Sequence, residues 1–210
     1  MPAVLITELK DLITLQDKLV RERSGYKARL KELNATRKYS KSHIQNKIPL
    51  RRIKQLTADI QEVEAAIQSI LEQSEALQMN YQLLTSIKGV GFITAVYMIA
   101  YTDNFQKFAN SRKFSCYAGV VPFEHSSGTS IRGKSRVSHY ANKKAKRLLN
   151  LAASVAIQHN GELKQYYQRR VGEGKSKMST LNMIRNKLVD RMFAVVKRQT
   201  PYQEMVRRAA

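Results

Sequence analysis

Leu5, Leu9, Leu12, Gln16, Leu19, Arg23, Tyr26, Leu30 and Leu33 step along the chain by alternating fours and threes. That is the period of a coiled-coil seam, and it predicts one long first helix. A second seam runs through Ile53, Leu56, Ile60, Val63, Ile67, Ile70 and Leu77, after a polar stretch from Arg37 to Lys47 and a helix-starting proline, Pro49. At about 1.5 Å per residue each helix would be roughly 45 Å long. The polar connection is short enough for the two to fold back as an antiparallel hairpin, a coiled-coil stalk over 1–79. The same seams can pair between chains, so a homo-oligomer is expected equally. Gln16 and Arg23 would weaken a simple two-stranded coil and set its register.

Heptad spacing lapses near Asn80, and a second domain is expected over 80–210. Two helical segments flank Ile87-Lys88-Gly89-Val90-Gly91. Phe105 to Tyr117 fits a short loop and helix, and Ala118 to Ser138 is rich in Gly, Ser and basic residues with few periodic apolar positions. That segment is a functional loop candidate with room for a small β-hairpin. Asn142 to Ile157 fits a basic amphipathic helix, Glu162 to Arg170 a short one and Ser179 to Arg198 the last. In the last, Leu181, Ile184, Leu188, Met192 and Val195 share a face, with Arg185, Lys187, Arg191 and Lys197 elsewhere. The expected fold class is mostly α, a long helical hairpin followed by a compact helical domain.

Charge changes this picture from a fold to a partner. The 210 residues carry 37 Lys or Arg against 16 Asp or Glu, a net charge of +21. Such a surplus attracts a polyanion, nucleic acid before membrane. The longest apolar stretch, Val90 to Tyr101, is too short to span a bilayer, and no charged-then-apolar leader begins the chain, so a cytoplasmic location is expected. The single cysteine, Cys116, excludes an intrachain disulfide framework and offers no zinc spacing. From Arg112 to Arg198 the cationic surplus is 15, against 6 in the rest of the chain, so the polyanion site is expected mainly in the second half.

Three features could carry chemistry. The turn at Lys88, Gly89 and Gly91 has the form of a helix-hairpin-helix, in which glycines let backbone N–H groups approach a phosphate without reading a base. Next, the hydroxyls of Ser126, Ser127, Thr129 and Ser130 precede Arg132, Lys134, Arg136, Lys143, Lys144, Lys146 and Arg147. A serine can attack a phosphodiester if a base takes its proton and cations hold the developing charge, with His125 and His139 as candidate acceptors. Spacing alone leaves Ser-Ser-Gly equally at home in an ordinary turn. Finally, Tyr166, Tyr167 and Tyr202 are the alternative nucleophiles, although a tyrosine recombinase needs Arg and His clustered around the tyrosine.

From Leu84 to Tyr202 the chain resembles the C-terminal domain of the DEDD-type insertion-sequence transposases related to the pilin-gene invertases. The resemblance rests on ordered motifs. Ser-Ile-x-Gly-Val-Gly at Ser86 to Gly91 is followed by Phe108, then by Tyr-x-Gly-Val-x-Pro at Tyr117 to Pro122. After these come Ser127-Gly128, Arg132 to Lys134, Asn142 and Pro201-Tyr202. Ala141 departs from the family, where many members have glycine. The resemblance implies that Ser127 becomes covalently joined to DNA and that a ribonuclease-H-like N-terminal domain supplies four acidic ligands for Mg²⁺. It also implies a structured guide RNA as partner in some members. Met1 falls at about the place where that domain would end, so this chain is expected to bind no metal of its own and to be inactive alone. A non-catalytic nucleic-acid-binding regulator, pairing with a full-length transposase through the stalk, is the alternative.

Overall fold

The computed structural model describes residues 2–37, 39–121, 123–127, 131–136 and 141–204, with the spans 123–127 and 131–136 described by their backbone alone. Two compact units divide the chain, Met1–Glu75 and Ala76–Ala210. The first is a pair of helices, α1 (Pro2–Thr36) and α2 (Ile44–Glu72). Gln16 donates to Glu64 at 3.1 Å and Arg23 to Thr57 at 3.3 Å, so the numbers rise along one helix as they fall along the other. The two therefore run antiparallel, and both polar seam residues find partners across the interface. Ile6, Leu9, Ile13 and Leu30 are buried against Leu56, Ile60, Val63 and Ile67. Ile6 and Ile13, outside the heptad seam, are buried while Leu5 and Leu12 are only half-buried, because a buried stripe is wider than a strict seam.

The connection corrects one sequence expectation. Helix α2 begins at Ile44, five residues before Pro49, which lies inside the helix. The Asn46 amide donates to the carbonyls of Tyr39 (2.8 Å) and Ser40 (3.0 Å), and the His43 ring accepts the Gln45 N–H while stacking on Tyr39. This cap starts the helix early, at the cost of the one intrahelical bond that Pro49 cannot donate.

The second unit holds α3 (Glu75–Thr85), α4 (Phe92–Tyr101), α5 (Ser111–Tyr117), β1 (Phe123–Ser127), β2 (Ile131–Arg136), α6 (Lys143–His159), α7 (Gly161–Gly172) and α8 (Lys177–Arg198). Its centre is α4, in which every residue from Thr94 to Ala100 is buried. Leu148, Leu149, Ala152, Ala153 and Ala156 of α6 and Ile184, Leu188, Val189, Met192 and Val195 of α8 complete the core. Asparagine or serine side chains cap four helices, Asn110, Asn142, Asn160 and Ser176, each accepting a first-turn N–H. The strands form one antiparallel hairpin in the segment whose composition suggested a loop.

No helix among the described residues is long and apolar enough to cross a membrane.

Candidate nucleic-acid interface

The segment bearing Ser127 leaves the helical body at Tyr117 and returns at Asn142, and both ends are fastened. Gly119, at φ +66°, ends α5 in a left-handed turn: its N–H bonds to Cys116 (3.1 Å) and the Val120 N–H to Ser115 (3.0 Å). That is the Schellman closure, whose left-handed position favours glycine. The next carbonyl, of Val120, accepts from both Asn182 (2.6 Å) and Asn186 (2.8 Å), side chains one turn apart on α8. At the other end the Asn142 N–H bonds to the Tyr117 carbonyl at 2.9 Å, bringing entry and exit together. The Asn142 side chain donates to the Tyr117 hydroxyl (2.7 Å), accepts from Tyr97 (2.9 Å) and caps α6 at Ala145 (2.9 Å). Burial first, then the neighbouring Tyr117 and Tyr101, pushes the Tyr97 hydroxyl far above its ordinary value, so it stays a proton donor to Asn142.

Within the hairpin, Ser127 pairs with Ile131 and Ser126 with Arg132, and the register shifts between Phe123 and His125. Ser127, Arg132, Lys134 and Arg136 thus belong to one two-stranded element. Their side chains lie outside the described residues, as do Gly128 and His139 altogether.

Helix α6 links this element to the glycine turn. Lys143, Lys144, Lys146 and Arg147 occupy its first turns, next to Asn142, and Lys143 and Arg147 are exposed. Farther along, a Cβ on Gly89 would meet the Ala152 carbonyl at 2.6 Å and the Ala156 Cβ at 2.8 Å. The turn therefore seats on the later part of the helix, roughly 13 Å from its basic start. Gly89 has φ +100°, so its glycine serves the fold twice, by conformation and by close approach. Gly91 differs: it is exposed, has ordinary backbone angles, caps α4 without a side-chain bond, and a Cβ there would meet nothing within 4 Å. Lys88 is not free beside it, being paired with Glu204 at 2.7 Å.

Several residues here escaped sequence reasoning. Arg185, expected away from the buried face of α8, is 5% exposed and bonds to Asn182 at 3.3 Å and to Asn150. Burial lowers its affinity for a proton. Asn182 and Asn186 stand four apart, a visible spacing, but one that marks a solvated helix face as readily as a grip on a carbonyl. Of the tyrosines offered as alternative nucleophiles, Tyr166 has its ring 4.6 Å from the Lys187 ammonium, and Tyr202 bonds to Glu162 (3.3 Å) under the Arg191 guanidinium. Burial raises the Tyr202 hydroxyl above its ordinary value, which opposes its ionisation.

Residues 81–168 match the family described as "Transposase IS116/IS110/IS902 family". Among curated relatives, the insertion element IS110 uncharacterized 43.6 kDa protein of Streptomyces coelicolor is 28% identical over 141 residues, 67% of this chain and 34% of that protein. The pilin gene-inverting protein of Moraxella lacunata is 23% identical over 155 residues, 73% of this chain and 48% of that protein. The transposase for insertion sequence element IS1111A of Coxiella burnetii is 28% identical over 127 residues, 58% of this chain and 34% of that protein. The chain thus spans between a third and a half of the length of these relatives. The match takes in the glycine turn, the hairpin with its fastening of Asn142 to Tyr117, and the basic helix, and the chain is a relative of the IS110-family transposases.

Proposed function

We propose that this chain is the DNA-handling part of an insertion-sequence transposase, in which the start of α6 and the turn at Lys88, Gly89 and Gly91 hold DNA and Ser127 attacks a phosphodiester. The observation that carries the reading is the double fastening of the hairpin. A nucleophile must be held within about half an ångström of its productive position, and a two-stranded element is only marginally stable unless anchored. Here Asn142 and the Asn182–Asn186 pair anchor it to the core through α6 and α8.

In the proposed step the Ser127 Oγ gives its proton to a base, for which His125 and His139 are the candidates, and forms a bond to phosphorus as the bridging oxygen of the strand leaves and takes up a proton to become a hydroxyl, so the phosphodiester is conserved as a serine–DNA ester. Arg132, Lys134 and Arg136 bind the strand, and the charge that develops on the phosphorane falls to cations on the Ser127 face, Arg132 being on the other because it pairs with Ser126. No three His, Cys, Asp or Glu gather among the described residues, so the four-acid Mg²⁺ centre implied by the resemblance finds no fit there and no step is routed through it. A guide RNA and a second copy joined through α1 and α2 are the further partners in this reading.

The test is trapping of a covalent adduct on element-end DNA, with the acidic nuclease-like domain supplied upstream in the same polypeptide. Ser127→Ala should abolish the adduct while leaving DNA affinity within about twofold, the mark of a group used only in the chemical step. An adduct that persists in Ser127→Ala sinks the assignment, and its loss in Ser126→Ala or Tyr202→Phe would reassign the nucleophile. DNA binding without an adduct in any variant would leave the chain a nucleic-acid-binding regulator.

A further inference from the structure

We propose that residues 200–204 form a strap whose Glu204 carboxylate occupies a phosphate subsite made by Lys88 and the Gly161 N–H, so that DNA must displace it to engage the glycine turn. The inference rests on the DNA-binding reading above and adds a subsite and a competitor to it.

Helix α8 is capped by Gln199, in a left-handed conformation at φ +52°, whose side-chain amide donates to the Val196 carbonyl and to Asn80. The chain then turns back over the unit. The Tyr202 N–H bonds to the Ser86 Oγ at 2.8 Å, immediately before the glycine turn. The Tyr202 ring lies 4.7 Å from the Arg191 guanidinium, which itself pairs with Glu162 at 2.7 Å. These contacts give Ser86 and the Pro201-Tyr202 motif a purpose that the proposed chemistry leaves open.

Two residues farther on, one Glu204 oxygen takes the Lys88 ammonium at 2.7 Å and the other the Gly161 N–H at 3.1 Å, in the first turn of α7. A lysine converging with a helix-start N–H is the donor set that a phosphodiester uses, and here a carboxylate from the same chain is bound to it. The hydrogen bond from Lys88 holds the Glu204 carboxyl below its ordinary range, so the strap carries its charge at neutral pH. The Lys88 and Glu204 side chains are 53% and 27% exposed, and an ion pair so open to solvent is weak and yields to a competing anion. Lys88 is also the cation nearest in sequence to Gly91, where the backbone is open to approach.

The experiment titrates a fluorescently labelled duplex DNA with the full chain at low salt, following anisotropy. Glu204→Gln, which keeps the shape and loses the charge, should tighten binding roughly threefold. Lys88→Ala should weaken binding, and in that background Glu204→Gln should have no effect. Glu173→Gln removes a carboxylate paired with Arg169 and Arg170 at the far end of α7, and should leave affinity unchanged if the effect is local. Binding by the unsubstituted chain with no tightening in Glu204→Gln would overturn the strap alone. So would a tightening that survives Lys88→Ala or is matched by Glu173→Gln. Failure of every form to bind duplex DNA would overturn the DNA-binding reading and the strap with it.

Discussion

At Gly89 a methyl group would sit 2.6 Å from a backbone carbonyl of α6, on a residue whose φ is +100°. Neither the carbonyl nor the helix can give way cheaply, so Gly89→Ala should destabilise the fold by about 2–4 kcal/mol in urea unfolding. At Gly91 nothing lies within 4 Å of the added carbon and φ is −89°, so Gly91→Ala should cost no more than about 1 kcal/mol. If phosphate approaches there, the same variant loses DNA affinity while keeping its stability. Equal destabilisation by both would mean that packing alone accounts for the pair. Asn142 shows a single side chain serving three elements, since it caps α6 and bonds to Tyr97 on α4 and Tyr117 on α5. Removing the cap and leaving two hydroxyls in search of partners should make Asn142→Ala cost about 2–4 kcal/mol, read as a lowered denaturant midpoint. Of the motifs carrying the family resemblance, Ser86, Gly89, Tyr117, Gly119, Asn142 and Tyr202 all have a structural task here, which sequence spacing could not separate from a chemical one.

The hairpin is the element on which the proposed function turns, and its fastening by α8 shares Asn182 with the buried Arg185, which donates to the Asn182 Oδ1. Asn182 and Asn186 touch the Val120 carbonyl through their amides alone, each bond being worth about 1 kcal/mol. Replacing both with alanine should cost about 2–5 kcal/mol in stability, part of it because the buried Arg185 guanidinium loses the Asn182 oxygen. It should reduce adduct formation at least about tenfold, because a displaced nucleophile loses rate steeply. DNA affinity should change far less, since the cations of α6 stay in place. An undiminished adduct would show that the hairpin is held from elsewhere. The helices on either side were legible because their apolar positions recur at helical spacing, as in Leu148, Leu149, Ala152 and Ala156 of α6. The exceptions were local polar contacts. Asn46 and His43 start α2 ahead of Pro49, and Arg185 goes under cover with Asn150 and Asn182 as partners. Such bonds leave no periodic trace, and the Lys88–Glu204 pair, 116 residues apart, leaves none at all.

For the molecule as a whole the long-range field and the local geometry make separate claims. The surplus of 15 cations between Arg112 and Arg198 was legible by counting, and it speaks to association rather than to chemistry. The placement of those cations was not, because composition cannot tell Lys143, exposed at the start of α6, from Arg185, buried in α8. The two kinds of claim separate under salt. Each phosphate neutralised by a side chain contributes about 0.9 to the slope of log affinity against log salt concentration. If the start of α6 lies along the DNA backbone, Lys143→Ala should flatten that slope by about 0.9 and weaken binding to all duplex sequences alike. Ser127→Ala should leave the slope as it was, since a neutral hydroxyl releases no counterion. A slope unmoved by Lys143→Ala would place the DNA on another face of the unit, and the hairpin would then lose the helix proposed to hold its substrate.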